Sequence, residues 1–301
     1  MPKQGITQLN SFRLAGVVSQ VECYICGERN NENAEKCRHC SAPMSLAIQA
    51  KSQKVHPTMI AMLGSRSAGK TSYLGMLIDM LSRQNQQLHL IANGPSSIEI
   101  QQSTIAALRQ GRFPETTPEH PSSWLWLACQ VHSNLRRKPF DVVLPDMSGE
   151  AVANEVNRED ECPLVRAYLG KCAGALIVVD ATKVLVSERE EDFSVMKTIN
   201  YLCELHGDQR KGWSNRPVAI VYTKTDQCES CLEDVEAFTK QHLKRLWQHC
   251  QDHLKRHRFF ATTLAGACAF RWKHGERVDL PLRIEPRGVI EPFEWLLNEL
   301  A

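Results

Sequence analysis

From residue 58 onward, short apolar runs alternate with segments whose apolar residues recur every three or four positions. That alternation predicts strands at 58–63 (TMIAML), 88–93 (LHLIAN), 123–131 (SWLWLACQV), 139–145 (PFDVVLP), 174–180 (GALIVVD), 217–223 (PVAIVYT) and 258–263 (RFFATT). Helical spacing falls at Lys70–Ser82, Ser97–Arg109, Pro163–Leu169, Phe193–Leu205, Leu232–Arg256 and Glu291–Leu300. Strands separated by helices predict an α/β fold, a three-layer α/β/α sandwich around a mostly parallel sheet. Trp124 and Trp126 alternate as one face of a strand does, and no ligand role attaches to them. Ahead of this domain, 57–301, the pattern divides into a polar tail, 1–22, a compact cysteine unit, 23–41, and a linker, 42–56.

Composition narrows the partners. Among 301 residues, 36 Lys and Arg face 34 Asp and Glu, so no global field calls for nucleic acid or an acidic membrane. No run reaches the roughly 18 apolar residues of a membrane span, and the first twenty positions lack a secretory apolar core. The expectation is a cytoplasmic protein with no membrane partner. In that compartment, close cysteine pairs among the twelve cysteines point to metal rather than disulfides.

GSRSAGKTS, between the first strand and first helix of the large domain, fits G-x-x-x-x-G-K-[ST]. Backbone amides of Gly64, Ser65, Arg66, Ser67, Ala68 and Gly69 are expected to cradle phosphates, with Ser72 in the following turn. Lys70 would bridge the terminal phosphates and Thr71 would ligate magnesium. Downstream, DMSGE ends an apolar strand, placing Asp146 to hold magnesium and the Gly149 amide to sense the γ-phosphate. In TKTD, the Asp226 carboxylate can accept the paired N–H donors of guanine, which adenine does not offer. Thr223 and Lys224 complete that motif, Lys224 covering the base.

With GSRSAGKT, the strand and DMSGE, YLGKCAGALIVVDAT and TKTD in order, the chain resembles a P-loop GTPase of the translation-factor-related (TRAFAC) class. More closely it is similar to the bacterial double-GTPase families associated with conflict and defence systems. The resemblance implies GTP/GDP and Mg²⁺ as cofactors. It also implies a final base-contacting motif, assigned to Thr262 and Thr263 in FFATTLAG. A first switch loop would lie in GRFPETTPEH, where either Thr116 or Thr117 closes over magnesium. Glu150 stands where many fast GTPases carry Gln, so it would position water against some repulsion from phosphate, and unaided turnover should be slow. Arg66 is a candidate internal cation for catalysis beside Lys70.

CYICGERNNENAEKCRHC places Cys23, Cys26, Cys37 and Cys40 as C-x₂-C-x₁₀-C-x₂-C, the spacing of two knuckles around one zinc. With Asn30 the interval resembles the Ran-binding-protein type of zinc finger, whose members bind ubiquitin or single-stranded RNA. The usual Trp before the first knuckle is missing, so a structural or protein-docking zinc ribbon is expected rather than an RNA reader using Arg29 and Arg38. Cys228 and Cys231 form a third pair that only Cys203 and Cys250 could complete as a second metal site. The composite expectation is a GTP-binding switch with a protein effector. A permanently nucleotide-bound scaffold and an RNA-linked NTPase are the alternatives.

Overall fold

The computed structural model describes residues 20–53, 56–83, 88–134, 138–205, 212–273 and 276–300, so most of the expected tail lies outside the described residues. Two compact units divide at Val55 and His56. In the first, β1 (Gln20–Glu22) pairs antiparallel with β2 (Arg29–Asn31). Most of the stretch expected as a linker folds as α1 (Met44–Gln53), with Met44, Ala47 and Ala50 buried at a three-residue spacing. Two apolar residues per turn in a short, Ser-containing stretch gave too faint a period to separate helix from linker.

The second unit centres on a seven-stranded sheet ordered β4-β5-β6-β3-β7-β8-β9. Its strands are β3 (Thr58–Leu63), β4 (Leu88–Asn93), β5 (Trp126–Ser133), β6 (Phe140–Pro145), β7 (Gly174–Asp180), β8 (Val218–Thr223) and β9 (His257–Ala261). The five strands from β6 to β9 run parallel, and β4 and β5 extend them as an antiparallel edge. Strands β7 and β8 are buried along their whole length, as the uninterrupted apolar runs GALIVVD and VAIVYT require of a sheet covered on both faces.

Helices α2 (Lys70–Ser82) and α10 (Glu291–Leu300) keep their sequence-based bounds. Their side chains Leu74, Leu77, Ile78, Phe293 and Leu296 share one core with Ile60, Met62, Leu176 and Val178 of the sheet. Each such side chain, fully buried, contributes roughly 1.5–3 kcal/mol. That core holds rigid the loops that leave the strands' carboxyl ends. No helix among the described residues is long and apolar enough to cross a membrane.

Several elements depart from expectation. The strand expected from 123 begins at Trp126, because Pro121–Ser123 turns as a short 3₁₀ segment; Trp124 is therefore off the strand, though both tryptophans are buried. After α3 (Pro95–Arg109), a helix not foreseen, α4 (Gly149–Asn157), follows DMS, its amide at Glu150 capped by the Ser148 hydroxyl. It is followed by α5 (Pro163–Lys171). The helix expected from Phe193 starts at β7's end as α6 (Ala181–Glu204), broken by non-helical backbone at Ser187.

The single long helix expected over 232–256 is three: α7 (Glu229–Glu233), α8 (Val235–His242) and α9 (Lys244–His253). Asp234 stops the first and caps the second, accepting from the amides of Glu236 and Ala237. Finally, β10 (Thr263–Lys273) and β11 (Glu276–Arg287) form a separate antiparallel hairpin with three register shifts between Thr263 and Cys268. Those bulges, with Gly266 and Pro281, erase the period-two signal that would have announced it.

Candidate functional site

Six segments meet beyond the carboxyl ends of the parallel strands, where open α/β sheets bind ligands. The first, from β3, is the GSRSAGKT loop. Gly64 adopts a φ of +149°, and a β-carbon there would lie 2.3 Å from the Val178 carbonyl oxygen, so the loop can pass β7 only with glycine. Ser67 and Gly69 take left-handed backbone (φ 61° and 89°), turning the chain into α2, with Ala68 fully buried and Ser72 buried in the first turn. The Lys70 ammonium is buried, donating to the carbonyls of Gly64 (2.9 Å) and Ser65 (3.0 Å). Burial pushes it down to about 8, against the opposing charge of Asp146.

From β6 comes Asp146, 3% exposed. Its Oδ2 accepts from the hydroxyls of Thr71 (2.8 Å) and Thr117 (2.9 Å), which are themselves 3.0 Å apart. Of the two candidate switch threonines, Thr117 is brought in, whereas Thr116 is exposed and is not brought to this cluster. Burial raises the Asp146 carboxyl above its ordinary range despite both hydroxyls, and its Oδ1 is buried with no hydrogen-bond partner. Three oxygen ligands, one with an unspent lone pair, suit a small hard cation, so these residues fit magnesium.

The segment after Asp146 packs directly on the phosphate loop. A β-carbon on Gly149 would lie 2.7 Å from both the Arg66 amide nitrogen and the Gly64 carbonyl oxygen. Next to it, Glu150 accepts from the Arg66 guanidinium at 2.6 Å, both side chains partly exposed. The two catalytic candidates of that region thus engage each other. Lys183, in the first turn of α6, donates to the Arg66 carbonyl at 3.0 Å. Sequence reasoning passed over Lys183, since nothing in DATK fixes where the first turn of the helix points.

The base motif leaves β8. Thr223 donates from Oγ1 to the Ala68 carbonyl at 2.7 Å, tying base end to phosphate end. Lys224 takes left-handed backbone and pairs at 2.6 Å with Asp180, a buried carboxylate at the end of β7 that also accepts from Thr182 and was likewise missed. Asp226 accepts from Thr263 at 2.6 Å through Oδ1, while its Oδ2 is buried without a partner. Thr262 accepts at its carbonyl from the Thr225 hydroxyl at 3.0 Å. Thr262 and Thr263 therefore lie beside Thr225 and Asp226.

Buried polar atoms lacking a partner cost about 1–3 kcal/mol each, so their positions carry information. Among the described residues there are seven such atoms; those of Ser65, Asp146 and Asp226 fall in this one region, and those of His89, Thr104, Trp213 and His249 lie elsewhere.

In the smaller unit, the four thiols expected to hold zinc have their sulfurs within 4.8 Å of one another. Cys23 and Cys40 are 3.7 Å apart and Cys26 and Cys37 3.6 Å, near the edge of about 3.8 Å that a tetrahedron of 2.3 Å Zn–S bonds requires. The knuckles repeat one geometry: Gly27 donates to the Cys23 carbonyl and Ser41 to the Cys37 carbonyl, each from left-handed backbone. Amides of Ile25 and His39 point at Cys23 and Cys37 sulfurs, and Asn30 donates to Cys37 at 3.3 Å. These donors favour thiolate, and the site fits zinc. Cys228 and Cys231 are buried, and among the described residues they join no metal-holding group with Cys203 or Cys250.

Comparison with known proteins places this geometry in a family. Among solved structures, the chain is similar to nucleolar GTP-binding protein 1 of Plasmodium falciparum (TM-score 0.43, 15% identity, 82% of this chain and 89% of that one). It is also similar to the Arl6 small GTPase of Trypanosoma brucei with bound nucleotide analogue (0.36, 14%, 81% and 96%). A third is the signal recognition particle receptor complex of Chaetomium thermophilum (0.42, 13%, 71% and 93%). No curated protein matches the sequence. A family described as Double-GTPase 2 matches residues 58–266, a span that holds the phosphate loop, Asp146–Glu150, the base motif and Thr262–Thr263. The chain belongs to the Double-GTPase 2 family, a GTPase type.

Proposed function

We propose that this protein is a magnesium-dependent GTP switch that turns over slowly unaided and presents its ordered switch segments to a protein effector. The observation that carries the reading is the cluster of Thr71, Thr117 and Asp146, with the Asp146 Oδ1 left unpaired. Magnesium held there would draw charge from the β- and γ-phosphate oxygens. Thr117 belongs to the loop after α3 and Asp146 to the turn before α4, so the cluster joins two segments that nucleotide state can separate. Lys70 would exchange its two loop carbonyls for phosphate oxygens, and the Gly149 amide would face the γ-phosphate from its seat against the loop. Asp226 would read guanine through its free Oδ2 while Thr263 fixes the other oxygen.

Slow turnover would follow from Glu150 standing near the γ-phosphate as a repelling carboxylate that is already engaged with the Arg66 guanidinium. The same pair supports a second reading, a module that holds nucleotide without hydrolysing it. For the zinc ribbon, a protein contact is favoured over RNA because Arg29 pairs with Glu22 and Arg38 with Glu28, so the cations an RNA backbone would need are already engaged. A role in a bacterial defence system rests on the family resemblance.

Binding and single-turnover assays test the proposal. GTP is expected to bind more tightly with magnesium than without it, ATP to bind far more weakly, and hydrolysis to run at about 10⁻³ s⁻¹ or below. Equal affinity for ATP, or no response to magnesium, would defeat the switch. Nucleotide that neither exchanges nor hydrolyses in the purified protein would establish the second reading.

A further inference from the structure

The Thr117 hydroxyl reaches Asp146 although its loop carries no helix or strand of its own between Arg109 and Pro121. What fixes it lies one and two residues further on. The indole nitrogen of Trp124 donates to the Pro118 carbonyl at 2.9 Å, and the ring is only 5% exposed. The next residue, Leu125, accepts the backbone amide of Asp146 itself at 2.8 Å. Adjacent residues thus hold both sides of the cluster, one through the switch loop and one through the carboxylate's own backbone. Pro118 stiffens the link, since its ring fixes its own φ and confines Thr117 to extended backbone. On the other side of the loop, Asn154 of α4 donates to the Glu119 carboxylate at 2.9 Å, joining this loop to the helix that follows Gly149.

We infer that Trp124 and Asn154 are positioning residues: they latch Pro118 and Glu119 and so present the Thr117 hydroxyl to the cation that accompanies GTP. Their side-chain hydrogen bonds go to Pro118 and Glu119 and not to the cluster itself. The inference rests on the reading of Thr117, Thr71 and Asp146 as the magnesium cluster. Its consequence is selective, because a threonine that serves only the γ-phosphate state favours GTP over GDP. Losing the latch should lower GTP affinity and leave GDP affinity where it was, an effect that general loosening of the fold would not produce.

The test measures GTP, GDP and magnesium affinities of full-length protein carrying Trp124→Phe, Asn154→Ala or Thr117→Ala. Phe keeps most of the buried ring and removes the N–H donor. Loss of one buried hydrogen bond predicts that Trp124→Phe weakens GTP about fivefold, raises the magnesium needed, and leaves GDP within about twofold. Asn154→Ala, on the exposed side of its helix, is expected to act in the same direction about twofold, and it keeps the test open should the indole variant not fold. Equal weakening of GTP and GDP, or no change in their ratio in either variant, overturns the latch. If Thr117→Ala itself leaves the ratio unchanged, the magnesium reading has failed; if it shifts the ratio and the other two do not, only the latch has failed.

Discussion

Between Cys23 and Cys40, 17 positions apart, four sulfurs converge through two copies of one short turn. From Gly64 to Thr263, by contrast, the nucleotide site gathers loops from β3, β6, β7, β8 and β9, and its ties span most of the large unit. The first site makes its own scaffold. Apart from the expected metal, the buried apolar residues there, among the described residues, are Val21, Ile25, Ala42, Met44, Leu46, Ala47 and Ala50 beside the cysteines. The second borrows its rigidity from the sheet, and each side chain is placed by contacts distant in sequence. A locally built site should therefore fail locally and completely, and a distributed one partially and at a distance.

The sharpest break of that comparison is metal removal. A strong zinc chelator is expected to unfold the smaller unit, since structural zinc contributes on the order of 10 kcal/mol to such units. Circular dichroism and proteolysis should show the loss near residues 20–53, while GTP affinity of the same sample holds. Loss of both together would mean that the two sites are not independently built.

A smaller effect is expected at the base end. Asp226→Ala removes an acceptor for two donors of guanine, so GTP affinity should fall on the order of 100-fold while ATP affinity is unaltered. Competition binding reads the ratio, and the melting temperature reports separately the lost hydrogen bond from Thr263 to Asp226 Oδ1. An unchanged GTP to ATP ratio would remove Asp226 from base recognition.

The smallest expected change tests action at a distance. Gly149→Ala brings a methyl group into the backbone of Gly64 and Arg66, distant in sequence, and overpacking of this kind costs about 1–3 kcal/mol. Thermal unfolding should show that loss, and GTP binding should weaken with it through displacement of the phosphate loop. Full stability with unchanged binding would show that the loop and the Gly149 turn are not in the close contact described.

Much of both sites was legible because the chemistry is written in contiguous residues. The phosphate loop needs its glycines within one turn and a helix start directly behind; the zinc site needs two C-x₂-C pairs and a bridge. Strands β3, β4 and β7 and helices α2 and α10 were equally plain, for each is a continuous apolar or periodic run. Legibility failed where a local break in the backbone interrupts a run that composition reads as continuous or hides its period. Asp234 ends one helix by capping another, Ser187 breaks α6, and bulges hide the β10–β11 hairpin with its exposed Phe270, Trp272 and Leu282.

By itself, then, the sequence determined the fold class, the zinc-type unit, the phosphate loop and the order of the nucleotide motifs, since spacing along the chain sets local backbone and face. Only the tertiary structure chose Thr117 over Thr116, paired Arg66 with Glu150, and brought Lys183 to the loop 117 positions before it. It also moved Trp124 from a strand face to the carbonyl of Pro118. The physical reason is common to the first three, whose ties span 29 to 117 positions, whereas Trp124 reaches Pro118 across only six. Periodicity reports which side of an element is buried, and the partner a polar atom finds there depends on elements that the chain supplies much earlier or later.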